Sequence, residues 1–247
     1  MVFPPETCDV GGVLLLAGLV VALGALVQGA VGFGLALVAA PLLAIIDPAL
    51  VPVPLLLVTA VHAVLTVARE PRGADWTGVG WALLGRLPGT ALGVLAVALL
   101  PTRVFLAVVA GVVLVCAALS VVTWRPRPTV PALLVAGLVS GAGGTAASIG
   151  GPPVALLYQD RSGVRVRATL GAYFTAGSAL SIGALVAGGQ VGVDHLTAAA
   201  VLLPAMVVGF LASGPARRFV DRGWVRPAVV GVSALGAGVL LVQVAIG

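Results

Sequence analysis

Gln28-Gly29-Ala30-Val31-Gly32-Phe33-Gly34 and Ser148-Ile149-Gly150-Gly151-Pro152-Pro153 are the two stretches on which the reading of this chain turns. Each lies between an apolar run and a shorter one: 11–27 before 33–46, and 130–147 before 151–159. The following runs fall short of the roughly 20 residues that a helix needs to cross a bilayer. Glycine frees the backbone, while proline lacks an N–H and cannot continue a regular helix. The two stretches therefore predict helices interrupted inside a membrane.

The rest of the chain puts that membrane there. Of 247 residues, 60% are hydrophobic and only 9% charged. A soluble domain carries about 25% charged residues, and a disordered chain has far less apolar surface. Six further runs, 49–68, 76–100, 103–124, 168–188, 195–213 and 225–246, are long enough to span. The 34 Gly and 17 Pro suit transmembrane helices better than soluble ones. The class is an all-α polytopic membrane protein. The net charge of +5 is no nucleic-acid footprint, because all 13 basic residues are Arg set in short clusters between apolar runs. Cys8 and Cys116, the latter within an apolar run, do not suggest a disulfide. Residues 1–10 carry Glu6 and Asp9 but no basic residue, unlike the start of a cleaved signal peptide, and read as an extracytoplasmic tail.

The interruptions recur at a fixed distance. At an offset of 119 residues Ala17-Gly18-Leu19-Val20 matches Ala136-Gly137-Leu138-Val139, Gly32 matches Gly151, and Asp75 matches Asp194. After a three-residue gap, Pro88 and Gly93 match Pro204 and Gly209. This divides the chain into repeat 1 (11–124), a cytoplasmic linker (125–129) and repeat 2 (130–247). Each repeat is a broken-helix hairpin, 11–46 or 130–159, followed by three spans. If each hairpin returns to its own side, eleven loop Arg face one side and only Arg103 the other, with Arg86 inside the membrane. If each broken segment crosses once, the split is eight against four. The positive-inside rule selects the first arrangement, with both termini outside the cell. Trp76, Trp124 and Trp224 then lie at span ends on the Arg-rich face, as an aromatic belt would. Three crossings per repeat make the two repeats inverted, and their hairpin tips meet near the midplane. Inverted repeats with broken helices are the architecture of secondary transporters, and helix starts at such breaks favour an anion.

Gly24 to Pro41 (GALVQGAVGFGLALVAAP) and Ala136 to Pro153 (AGLVSGAGGTAASIGGPP), with the Asp75-Trp76 helix start and the two Pro-x4-Gly elements, resemble the TauE/SafE family of sulfite-exporter-type permeases. The resemblance covers nearly the whole chain, although Phe33 interrupts the family's run of three glycines in the first repeat. It implies a multipass transporter of small sulfur-containing anions such as sulfite or sulfonates.

Individual residues refine the expectation. Arg86 falls near the centre of a span, where insertion costs about 2.5–3.5 kcal/mol. It either holds the anion or caps carbonyls and snorkels toward the cytoplasm. Thr59, His62 and Thr66 share one face of 49–68, and Thr175, Ser178 and Ser181 share one face of 168–188, with Thr59 pairing with Ser178 and His62 with Ser181 at the repeat offset. These hydroxyls either line the cavity or bond their own helices. His62 is the one residue within a span able to titrate near neutral pH. His195 reads as a solvated or capping residue. Gln28 is a donor to the anion or a partner for freed backbone. The candidate substrate-binding set is thus Gln28, Gly29, Gly32, Phe33, Gly34, Thr59, His62, Arg86, Thr145, Ser148, Gly150, Gly151, Thr175 and Ser178.

The chain has no phosphate-binding Gly-x4-Gly-Lys loop, no His-Glu-x-x-His, no Gly-x-Ser-x-Gly elbow and no carboxylate within a span. The expectation is a non-enzymatic carrier that needs no cofactor, metal or nucleic acid, working in the cytoplasmic membrane as a possible homodimer. A passive anion channel and a proton-coupled uptake permease meet the same constraints.

Overall fold

The structure is a computed structural model that describes residues 10–70, 73–121, 126–220 and 225–246. Cys8, Glu6, Asp9, Arg72, Trp124, Arg125, Arg222 and Trp224 lie outside the described residues, as do the side chains of Arg217, Arg218 and Arg226. Among the described residues there are helices and no strands. In chain order they are α1 (Val10–Val31), α2 (Leu35–Ile46), α3 (Val53–Arg69), α4 (Trp76–Leu99), α5 (Thr102–Val121), α6 (Val130–Ala147), α7 (Gly151–Leu157), α8 (Gly163–Ala187), α9 (Val193–Val220) and α10 (Val225–Ile246). A 3-10 turn, Pro48–Leu50, joins α2 to α3. Among the described residues seven segments are long and apolar enough to cross a membrane, α1 and α6 among them.

Both broken helices are present, but their ends are shifted from the sequence reading. The first interruption, expected from Gln28 onward, is confined to Gly32–Gly34. Gln28 does not end α1 because its side chain finds partners at Leu35 and His62. Gly29 does not end it because it packs against Ser213 of α9. The chain turns only at Gly32 (φ 107°) and Gly34 (φ 126°), a left-handed backbone that side chains rarely adopt. At 22 residues α1 is about 33 Å long, the thickness of the hydrocarbon core, whereas α2 has 12 residues. The second interruption covers Ser148–Gly150, with Ser148 left-handed at φ 61°. Pro152 and Pro153, expected inside that break, instead form the first turn of α7, where no N–H is required of them. Two spans are also longer than their apolar runs. α8 starts at Gly163 and takes in Arg165 and Arg167, and α9 continues past 213 through Pro215.

Packing follows from small residues. α6 lies along α4 because Gly85 and Gly89 bring the α4 backbone onto the carbonyls of Leu134 and Leu138, and Gly137 rests on the carbonyl of Ala82. α1 lies along α9 in the same way, with Gly209 on the carbonyl of Ala22. In lipid, where apolar side chains gain nothing by associating, such close approach is a main source of helix affinity. α3 pairs with α8, and α5 with α10. The largest apolar core surrounds α2 and includes Leu35, Leu43, Leu55, Val109 and Met206.

Polar contacts close the two ends of the bundle. At one end Arg69 of α3 donates to Ser213 Oγ (3.0 Å) and to the carbonyl of Phe210 on α9. Arg167 of α8 pairs with Glu70 at 2.9 Å. Asp75 caps α4 through Gly78 N–H and accepts from Tyr158 Oη at 3.0 Å. Burial and this bond to a carboxylate push the Tyr158 phenol above its usual range. At the other end Arg103 donates to the carbonyls of Val244 and Ala245 at the end of α10. Gly192 N–H donates to His195 Nδ1 at 3.0 Å, so His195 supports the start of α9.

Candidate anion-binding cavity

The two breaks face one cavity of about 40 Å³. At roughly 10–15 Å³ for each water centre, that is room for a few waters or one small oxyanion. Of the expected site residues, Gln28, Phe33, Gly34, Thr59, Arg86, Ser148, Gly150, Gly151 and Ser178 line it. Gly29, Gly32, His62, Thr145 and Thr175 do not. Gly29 meets α9, and Gly32 lies under Arg167 at the Glu70 end of the bundle. His62 stands behind Gln28. Thr145 bonds Ser181 at 2.8 Å, behind Arg86. Thr175 returns its hydroxyl to the carbonyl of Gly171.

Arg86 enters from the middle of α4 and is 2% exposed. Its Nε donates to the carbonyl of Gly177 at 3.1 Å, and its Nη2 to Ser181 Oγ at 3.0 Å. Its Nη1 reaches Tyr173 Oη at 3.3 Å and Ser140 Oγ at 3.4 Å. Tyr173 Oη in turn donates to Ser140 Oγ (2.8 Å), which donates to the carbonyl of Gly150 (2.5 Å). The guanidinium is therefore tied to the second break through one serine. All four of its acceptors are neutral, and among the described residues no carboxylate pairs with it. Among the described residues these bonds take up four of its five N–H groups. A buried charge is ordinarily paired, so an uncompensated cation on a cavity wall makes that cavity attractive to an anion.

The first break has no charge on its cavity side; Arg167, paired with Glu70, meets it from the Gly32 side, where its Nη1 donates to the carbonyl of Ala30 at 3.5 Å. Leu35 N–H, at the start of α2, donates to Gln28 Oε1 at 3.0 Å. Gln28 Nε2 lies 3.1 Å from His62 Nδ1, and His62 Nε2 lies 3.1 Å from the carbonyl of Ala25. Beyond Leu35, Ala36 and Leu37 on the cavity wall have first-turn N–H groups with no partner inside the helix. The α7 start offers fewer, since Pro152 and Pro153 have none. Ser148 Oγ ties the second break to α3 by donating to the carbonyl of Pro52 at 2.9 Å.

The sequence reading missed Ser140, Tyr173 and Gly177, which hold Arg86 in place. A signal was there: Tyr173, Gly177 and Ser181 recur every fourth residue on α8 and so share one face. The profile of the sulfite exporter TauE/SafE family matches residues 15–240, which include both breaks and Arg86. The chain belongs to the sulfite exporter TauE/SafE family. Its class is accordingly that of membrane transporters of sulfur anions, as the resemblance of the two glycine-rich stretches implied. No curated protein and no solved structure matches the chain.

Proposed function

We propose that this TauE/SafE protein is a secondary transporter that exports small sulfur-containing anions, sulfite or a compact sulfonate, across the cytoplasmic membrane. The observation that carries the proposal is Arg86: a buried guanidinium without a carboxylate partner among the described residues, on the wall of a cavity between two helix breaks. The cavity volume favours an anion of a few heavy atoms over an aryl sulfonate. An inside-negative potential favours anion exit by about 2.3 kcal/mol per charge per 100 mV, which supports the export direction.

Alternating access comes from two inverted repeats, 11–124 and 130–247, rocking about the cavity. The helix pairing supports this. Exchanging α1 with α6, α2 with α7, α3 with α8, α4 with α9 and α5 with α10 turns α1–α9 packing into α6–α4 packing, and leaves α3–α8 and α5–α10 unchanged. Arg69, Arg161, Arg165 and Arg167 cluster at the Asp75 end while Arg103 stands at the other, which supports a cytoplasmic Asp75 end and both termini outside. A homodimer would suit so compact a transporter.

The test is flux of sulfite, small sulfonates, sulfate and carboxylates in proteoliposomes, under an imposed potential and separately under a pH gradient. Saturable flux of sulfur anions is expected. Silence with every anion under both conditions would overturn the reading, and single-channel current steps would replace the carrier with a passive channel.

A further inference from the structure

The hydrogen bonds behind the first break have only one consistent assignment of protons. Leu35 N–H can only donate, so the Gln28 atom facing it is the oxygen. Gln28 therefore turns its NH2 to His62 Nδ1, which must accept. The imidazole proton then sits on Nε2 and is donated to the carbonyl of Ala25, which can only accept. From these contacts we infer that His62 is a proton-binding site linked to the anion cavity through Gln28, so that an anion and a proton bind cooperatively. This rests on the transport reading of the cavity and deepens it.

Protonation acts through the same bonds. A proton added at Nδ1 gives an imidazolium with donors on both nitrogens, and Gln28 can meet it only by presenting Oε1. The amide must turn over. Its NH2 group then faces Leu35 N–H, donor against donor, and the bond that capped α2 is lost. Gln28 and the residues flanking Leu35, Gly34 and Ala36, all line the cavity. The turn thus releases an N–H at the positive end of α2 toward the cavity while placing a positive charge behind it. Both changes favour an anion, and by reciprocity a bound anion favours the proton.

Among the described residues no fixed ion pair pre-empts this response. α1, α2 and the 3-10 turn carry no titratable side chain. α9 meets His62 with Phe210, edge-on at 5.1 Å; its Asp194 and His195 lie at the far end, and the side chains of its Arg217 and Arg218 lie outside the described residues. On α3 itself the one charge is Arg69, whose guanidinium sits 3.7 Å over the Phe210 ring. α8 contributes Arg167, which is paired with Glu70, and Tyr173, which is bonded to Arg86 and Ser140. Thr66 Oγ1 gives its proton to the carbonyl of His62 and so cannot donate to Nδ1; as an acceptor it stands at 3.4 Å from Nδ1, which leaves Gln28, at 3.1 Å, the closer partner in both protonation states.

The two histidines of the chain make a direct test possible. Imidazole 15N spectra are recorded on the full chain in lipid, with His62→Gln identifying the His62 signals. Without anion, His62 is expected as the neutral Nε2–H form. With saturating sulfite it should become imidazolium within the range of about pH 5–8 where histidine can titrate. In proteoliposomes thiosulfate, which takes up no proton itself in that range, should carry protons inward with it, as read by a trapped pH dye. His62→Gln should abolish that proton movement and the response of flux to a pH gradient. Gln28→Met, which keeps the imidazole and removes the relay, should do the same. Sulfite flux with His62 neutral throughout overturns the inference and leaves the transport reading standing. Absence of all anion flux overturns both.

Discussion

The two helix breaks present the same backbone problem and meet it with different chemistry. At Gly32–Gly34 the freed N–H of Leu35 is taken by an uncharged Gln28, braced by His62. At Ser148–Gly150 the freed carbonyl of Gly150 is taken by Ser140, which is held by Tyr173 and the permanent charge of Arg86. The contrast lies in the side chains that meet each break. One half supplies a fixed cation, and the other a neutral relay that can acquire a charge. With the pair at rest the cavity carries a single positive charge and so is matched to one negative charge on its ligand.

The largest effect expected from breaking this asymmetry is at Arg86. Arg86→Ala removes the cation and takes one hydrogen-bond partner each from Ser181, Tyr173, Ser140 and the Gly177 carbonyl. Sulfite flux should fall by roughly 10- to 150-fold, the span of losing a charge-assisted hydrogen bond of about 1.5–3 kcal/mol. Arg86→Lys retains the charge without the planar fork, and should recover part of the flux but not the thermal stability. Wild-type flux in both variants would mean that the cation only braces the second break. A smaller effect is expected where the guanidinium is held but not replaced. An added Cβ at Gly177 would lie 2.7 Å from Arg86 Cζ, too close for either group to stay. Gly177→Ala should therefore lower flux about tenfold, within the 1–3 kcal/mol cost of overpacking. Gly183→Ala on the same helix meets open space and should leave flux unchanged. Equal flux in the two variants would separate the position of Arg86 from transport.

Much of this was legible in the chain because the physics was local. Composition announced an all-helical membrane chain, glycine marked both breaks, and a lone Arg within an apolar run stood out. What was not legible depended on partners far along the chain. α1 runs on through Gln28 because His62, 34 residues later, receives its amide. α8 begins five residues early, with Arg167 in its first turns, and Glu70, 97 residues before it, pairs with that side chain. Ser140 on α6 and Tyr173 on α8 look like ordinary helix residues until α4 brings Arg86 against both. The placement of His62 behind the wall, rather than on it, was equally invisible, since the helical period shows which residues share a face but not what stands in front of them.

The smallest expected effect tests the feature that looked most symmetrical in the sequence. Thr59 and Ser178, one repeat offset apart, do both line the cavity. Each hydroxyl nevertheless donates its one proton to its own helix, Thr59 to the carbonyl of Leu56 at 2.9 Å and Ser178 to that of Phe174 at 2.6 Å. What they turn to the cavity is lone-pair density, which repels an anion rather than binding it. An anion can accept from either group only if the bond to the helix is given up first, so the net gain is small. Thr59→Ala and Ser178→Ala should each change sulfite flux by less than about threefold, equivalent to the ~0.6 kcal/mol typical of such bonds in membranes. A tenfold loss in Ser178→Ala alone would place a donor to the anion beside Arg86 and deepen the difference between the two halves. A tenfold loss in both would restore a symmetrical site, in which the paired hydroxyls and not the single cation hold the anion.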